Sequence, residues 1–145
     1  MAITVPVETV SEKNLKLLQV TEQALQIGID AAQAGNTVGD IGFAIENFVH
    51  SRGRYGIVEV LAGHGVGRAI HEDPYIPNFG KKGRGAKLVS GMVIALEPMI
   101  NLGTKNVTID DDDDWTFRTA DRKGSAHFEH TILITEGDAE ILTKI

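Results

Sequence analysis

The chain has 145 residues, 42% of them hydrophobic and 23% charged, with a formal net charge of −6. That length is enough for one domain with a core, burying roughly 68–70% of the unfolded surface. The acidic balance speaks against a nucleic-acid face, and the absence of cysteine excludes disulfides and thiolate metal sites. The basic cluster of Lys81, Lys82, Arg84 and Lys87 lacks interleaved aromatics and reads as a solvated loop. No apolar run reaches membrane-spanning length, and no basic-then-apolar leader precedes the first element. A cytoplasmic chain is expected, with neither nucleic acid nor membrane as a partner.

Residues 3–7 alternate β-branched side chains around Pro6, which suits an edge strand. Ser11 can cap a helix whose apolar stripe runs through Leu17-Leu18, Ala24-Leu25 and Ala31-Ala32 and stops at Gly35. A second helix follows at once, with Thr37 and Asp40 in capping-box spacing and an apolar face of Ile41, Ala44-Ile45 and Phe48-Val49, up to Gly53. Two helices so closely joined pack antiparallel. Residues 57–61, 92–96, 115–119, 126–135 and 140–142 then read as short strands, and 80–91 and 101–114 as loops. Helices first and strands later predict an α+β domain spanning 1–145, with its helices on one face of a mainly antiparallel sheet.

Chemistry concentrates in residues 63–74, Gly-His-Gly-Val-Gly-Arg-Ala-Ile-His-Glu-Asp-Pro. Glycines on both sides of His64 allow another backbone or a ligand to come close. Downstream, Glu97 ends a strongly apolar run and Glu129 sits in a strand, where alternation gives it the same face as His127 and Thr131. One imidazole and two carboxylates on separate elements form a donor set for a hard or borderline divalent ion. The same residues also fit strand-end carboxylates, exposed or paired with arginine, and a structural histidine. His71 precedes a turn signal at Glu72-Asp73-Pro74; it can orient a substrate or donate to a developing oxyanion, or be an ordinary loop histidine. The run Asp110 to Asp114 lacks the spacing of a calcium loop and reads as a solvated, mutually repelling turn.

These residues resemble a known family. Gly63-His64-Gly65-Val66-Gly67-Arg68 with His71-Glu72-Asp73-Pro74, then Ala95-Leu96-Glu97-Pro98-Met99-Ile100-Asn101, then Trp115-Thr116 and Ser125 to Thr131, look like the ordered motifs of type I methionine aminopeptidases. The stretch between Asn101 and Trp115 is too short for the long insertion of the type II enzymes. The resemblance implies a half pita-bread fold and a site that removes initiator methionine. It implies His64, Glu97 and Glu129 as metal ligands, His71 as the histidine beside the scissile carbonyl, and Trp115 in the methionine pocket. The family's two aspartate ligands and a further histidine have no counterpart, because the chain aligns from just after them. His127 stands where glutamine is expected, and supplies an extra imidazole or fills space.

The leading expectation is therefore a C-terminal half-domain, natural or engineered, that is a poor peptidase alone. The implied cofactor is a divalent metal (cobalt, manganese, iron or zinc), held as a single weak ion or not at all. Its substrate, if active, is a peptide N-terminus. Two alternatives remain open: a subunit that completes the site with an N-terminal half or a second copy, and a non-catalytic peptide- or protein-binding module.

Overall fold

The computed structural model describes residues 1–144. The first apolar stripe folds as α1 (Glu12–Ala31), with Leu17, Val20, Ala24, Leu25 and Ile29 buried. Ser11 holds the N-cap position through its backbone carbonyl, which accepts from the amides of Asn14 and Leu15; its side chain makes no cap bond. The helix stops before Gly35, which sits at φ +95° in the turn between the helices instead of capping the first. At the start of α2 (Val38–Arg52) the expected box is present. The Asp40 carboxylate accepts from the Thr37 hydroxyl at 2.7 Å and from the Thr37 N–H at 2.8 Å. The hydroxyl bond is the main reason this carboxyl is held below the usual aspartate range.

The strands are β1 (Gly56–Ile57), β2 (Gly63–Gly65), β3 (Glu72–Ile76), β4 (Val93–Leu96), β5 (Met99–Asn101), β6 (Val107–Ile109), β7 (Phe117–Thr119), β8 (Ser125–His127), β9 (His130–Leu133) and β10 (Glu140–Ile141). They form a sheet in the order β10-β9-β4-β2-β3, a smaller sheet β1-β5-β8, and the hairpin β6-β7. Every pairing is antiparallel, as an α+β architecture with consecutive short strands requires.

Two strand runs pass from the larger sheet to the smaller one. Leu96 pairs with His130 on one side of the crossing and Met99 with His127 on the other, in one continuous register. Glu97-Pro98 and Phe128-Glu129 therefore face each other where both strands break. Pro98 has no N–H to donate, so a regular ladder cannot run through this point. Phe128 still donates to the Pro98 carbonyl at 3.4 Å, while the Glu129 backbone turns to Ala2, donating at 2.9 Å and accepting at 3.3 Å.

This break corrects several expectations. The single strand expected over 126–135 is two strands, and the run 92–96 resumes beyond Pro98 as β5. Residues 3–7 do not form a strand; their Thr4 hydroxyl instead donates to the His127 carbonyl at 2.8 Å and accepts its N–H at 2.9 Å. The turn expected at Glu72-Asp73-Pro74 is part of β3, an outer strand of its sheet, the position where a strand tolerates proline. The loop expected over 101–114 contains β6, whose β-branched Val107, Thr108 and Ile109 pair with β7. The strand expected over 57–61 shortens to β1, and that over 115–119 begins only at Phe117.

Ile94, Leu96, Ile132 and Ile134 join the apolar faces of the helices in one buried cluster. Alternation sends Ala95 and Glu97 to the opposite face. His64 pairs with Ala95, so it lies on that second face too. The two glycines beside it are sterically required. A Cβ on Gly63 would overlap the Ala95 carbonyl oxygen, and one on Gly65 the Asp73 carbonyl oxygen.

The aspartate run is more ordered than a repelling turn. Asp110 pairs with the Arg118 guanidinium. The Asp113 carboxylate accepts from the Thr116 hydroxyl at 2.5 Å, the Thr116 N–H at 2.8 Å and the Trp115 N–H at 2.9 Å. The Thr116 hydroxyl bond leads these in lowering its pKa to about 2.

Gly63→Ala is expected to cost about 1–3 kcal/mol, the usual range for overpacking, in denaturant unfolding. Because the folded-state pKa of Asp113 is depressed, its contribution to the hairpin is complete above the ordinary value of 3.8 and is lost as pH falls through about 2. NMR of the Trp115 and Thr116 amides should show an inflection near pH 2 that Asp113→Asn abolishes; an inflection near pH 4 would contradict the bonded turn.

Candidate metal centre

Continuing the register through the break places Glu97 opposite Glu129, with His127 two residues from Glu129 and His64 diagonal to Glu97 across Ala95. Directly opposite residues of antiparallel strands share a face, as do residues two apart. All four side chains therefore belong to the sheet face turned away from the helices. Ala95, itself 1% exposed, is the small residue that leaves room between them.

Glu97 is the centre of this group. Its carboxylate is 15% exposed and lies between two imidazoles: Oε1 is 3.5 Å from His64 Nε2, and Oε2 is 3.6 Å from His127 Nε2. Both separations exceed a good hydrogen bond. His64 Nδ1 lies 2.9 Å from the Gly65 carbonyl oxygen. A carbonyl only accepts, so Nδ1 carries the proton, and in the neutral ring Nε2 turns a lone pair toward a carboxylate oxygen. Two acceptors facing each other call for a proton or a metal cation between them. An imidazole that donates one nitrogen to a backbone carbonyl and offers the other is the usual arrangement of a metal-binding histidine. Two donors each about 2.1 Å from a tetrahedral ion sit roughly 3.4 Å apart, close to the distance seen here.

His71, which is exposed, leads into β3, and the β2–β3 pairing brings its ring within 4.2 Å of the His64 ring, centroid to centroid, tilted by 55°. Glu129 is on the expected face, but its Oε1 pairs with the Met1 ammonium at 3.4 Å. Among the described residues, neither Glu97 nor Glu129 is paired with arginine. Among the described residues, no group of three or more His, Cys, Asp or Glu side chains stands ready to hold an ion. Thus the structure joins His64, Glu97, His127 and His71, and leaves Glu129 turned to the terminal amine. Trp115 is 83% exposed, just before β7, with its backbone held by Asp113. On the helix-facing side, His130 is pushed below the usual histidine range by burial, and its Nδ1 is 2.9 Å from the Thr143 hydroxyl.

Sequence reasoning missed Thr4, which bonds the backbone of His127 from the outer edge, and Gly65 as the acceptor that sets the His64 tautomer. Only the second had a signal, the glycine beside the histidine. No helix among the described residues is long and apolar enough to cross a membrane.

Residues 1–136 match the model of metallopeptidase family M24. The chain is 46% identical to a methionine aminopeptidase of Clostridium perfringens over 145 residues, covering 99% of this chain and 57% of that protein. It is 44% identical to methionine aminopeptidase 1 of Bacillus subtilis, again covering 57% of it. The crystal structure of methionine aminopeptidase from Thermotoga maritima superposes with a TM-score of 0.94 at 43% identity, covering 99% of this chain and 57% of that one. Prolidase from Pyrococcus furiosus is similar at a TM-score of 0.74 and 28% identity, covering 99% and 36%. The chain thus spans little more than half the length of the methionine aminopeptidases it matches, and its architecture is a half pita-bread, as the motifs implied. With the family model matched over 136 of its residues, this chain belongs to metallopeptidase family M24.

Proposed function

We propose that this chain carries one wall of a divalent-metal site for removing an N-terminal methionine, and that a second polypeptide segment completes it. The observation that carries the reading is His64 Nε2 set 3.5 Å from Glu97 Oε1 while Nδ1 is held 2.9 Å from the Gly65 carbonyl. Similarity to methionine aminopeptidases supports the substrate class.

In this reading His64, Glu97 and Glu129 are the metal ligands of a single half-domain. Imidazole and carboxylate suit cobalt, manganese, iron or zinc alike. When bound, such an ion polarises a carbonyl and makes a water more acidic. The chain's own residues position the reactants. The Gly65 carbonyl holds the His64 ring in one tautomer. His71, exposed beside His64, donates an N–H toward the oxygen of the scissile carbonyl. Trp115 lines the methionine pocket once a partner covers it. The cytoplasm, where new chains emerge, is the compartment this reading implies.

Association has its own support. Ile3, Val5 and Val7 are 56%, 60% and 73% exposed, an apolar row beside β8. Apolar rows of this kind mark contact surfaces. The partner is an N-terminal half or a second copy of this chain.

Calorimetry with Co²⁺ or Mn²⁺ should show weak uptake of one ion, reduced at least about tenfold by His64→Ala or Glu97→Ala. Methionine release from a short Met-Ala peptide should stay near background for the pure chain. It should rise when the N-terminal part of a methionine aminopeptidase is added as a separate polypeptide. Robust turnover by a pure monomer would overturn the incomplete site. No ion uptake, with peptide binding retained, would favour a non-catalytic binding module.

A further inference from the structure

We propose that His127 is a positioning residue for Glu97: its Nε2–H closes on Glu97 Oε2 and keeps Oε1 turned toward His64. This rests on the metal reading above for its purpose, but not for its geometry.

His127 Nε2 is buried and has no hydrogen-bond partner. It faces Glu97 Oε2 at 3.6 Å, a few tenths of an ångström beyond a hydrogen bond. A buried nitrogen with no partner is costly, and a lone pair set against a carboxylate oxygen is worse. A neutral ring with its proton on Nε2 removes both costs, because it then donates toward an acceptor 3.6 Å away. The two imidazoles beside Glu97 thus play opposite parts. His64, with Nδ1 committed to the Gly65 carbonyl, offers a lone pair. His127 offers an N–H.

The movement that closes the gap falls on Glu97. The backbone of His127 is held on one edge by pairing to Met99 and on the other by the Thr4 hydroxyl, at 2.8 Å and 2.9 Å. Glu97 lies in the break before Pro98, outside both ladders, where, among the described residues, the one backbone bond it makes is the Asn78 side-chain amide donating to its carbonyl at 3.3 Å. A ligand carboxylate with its second oxygen fixed keeps its first oxygen presented, which is how outer partners raise metal affinity. Glutamine, which the family resemblance implies at this position, also carries an N–H donor. The shared chemistry is donation, not metal ligation.

Two measurements on the whole chain test this. In the metal-free protein, long-range ¹H–¹⁵N NMR should find the neutral His127 ring protonated at Nε2, with a resonance that Glu97→Gln moves. A bare Nε2, or one indifferent to Glu97→Gln, overturns the proposal. In a Co²⁺ titration followed by visible absorption, His127→Ala should weaken binding by about 10–100-fold and His127→Gln should restore most of it. An alanine variant that binds as tightly as the parent, a glutamine variant that fails to rescue, or direct paramagnetic ligation of His127 each overturns it. A parent chain that takes up no Co²⁺ yet keeps the Glu97-dependent Nε2 proton supports the pair and removes the metal reading. Binding of Co²⁺ without that proton does the reverse.

Discussion

The missing N–H of Pro98 is the constraint on which the rest depends. Without that donor, the antiparallel ladder joining β4–β5 to β8–β9 cannot run unbroken, although its register is the same on both sides. The break separates one long sheet into two and leaves a short stretch of each strand outside regular pairing. Glu97 and Glu129 occupy that stretch, facing each other. A carboxylate in the middle of an apolar ladder would be expensive to bury. At an interruption it has space, partial access to water and polar neighbours, so the same residue both ends the apolar run and opens the site.

The faces of the larger sheet divide the work. Ile94, Leu96, Ile132 and Ile134 go to the helices and form the core. Ala95, His64 and Glu97 go the other way. Close packing on the first face holds the second in register, which is why a few ångströms separate groups far apart in sequence. Gly63 and Gly65 complete the arrangement, since neighbouring carbonyl oxygens fill the space where their side chains would be. The precision of His64 is thus a property of strand packing around it, and its tautomer follows from one carbonyl oxygen.

The group around Glu97 is asymmetric. One imidazole is oriented by a backbone carbonyl, the other turns a buried, unpartnered Nε2 toward Glu97, and the opposite carboxylate is drawn to the terminal ammonium. Together with the apolar row Ile3, Val5 and Val7 and an exposed Trp115, this is, in the proposed reading, a surface prepared for contact. A chain spanning 57% of its relatives' length presents, in the proposed reading, an inner wall to the outside.

Both helices, the capping box, the α+β class and the three ordered motifs were legible in the sequence, because each depends on residues close together in the chain. Periodicity located α1 and α2, and Thr37 with Asp40 marked the start of the second. Glycine-flanked His64 and the carboxylates Glu97 and Glu129 could be picked out by type and setting. The strands were less legible: β2 is three residues with two glycines, β3 carries Glu72, Asp73 and Pro74, and β5 is only three residues long, so alternation could not reveal them. That Glu97 and Glu129 lie opposite each other, that His127 Nε2 faces the second oxygen of Glu97 at 3.6 Å, and that Glu129 turns to Met1 were decided only by the tertiary structure. Local sequence sets which face a side chain takes. Which residues meet on that face depends on long-range register, and register is set by the packing of distant strands on a common core.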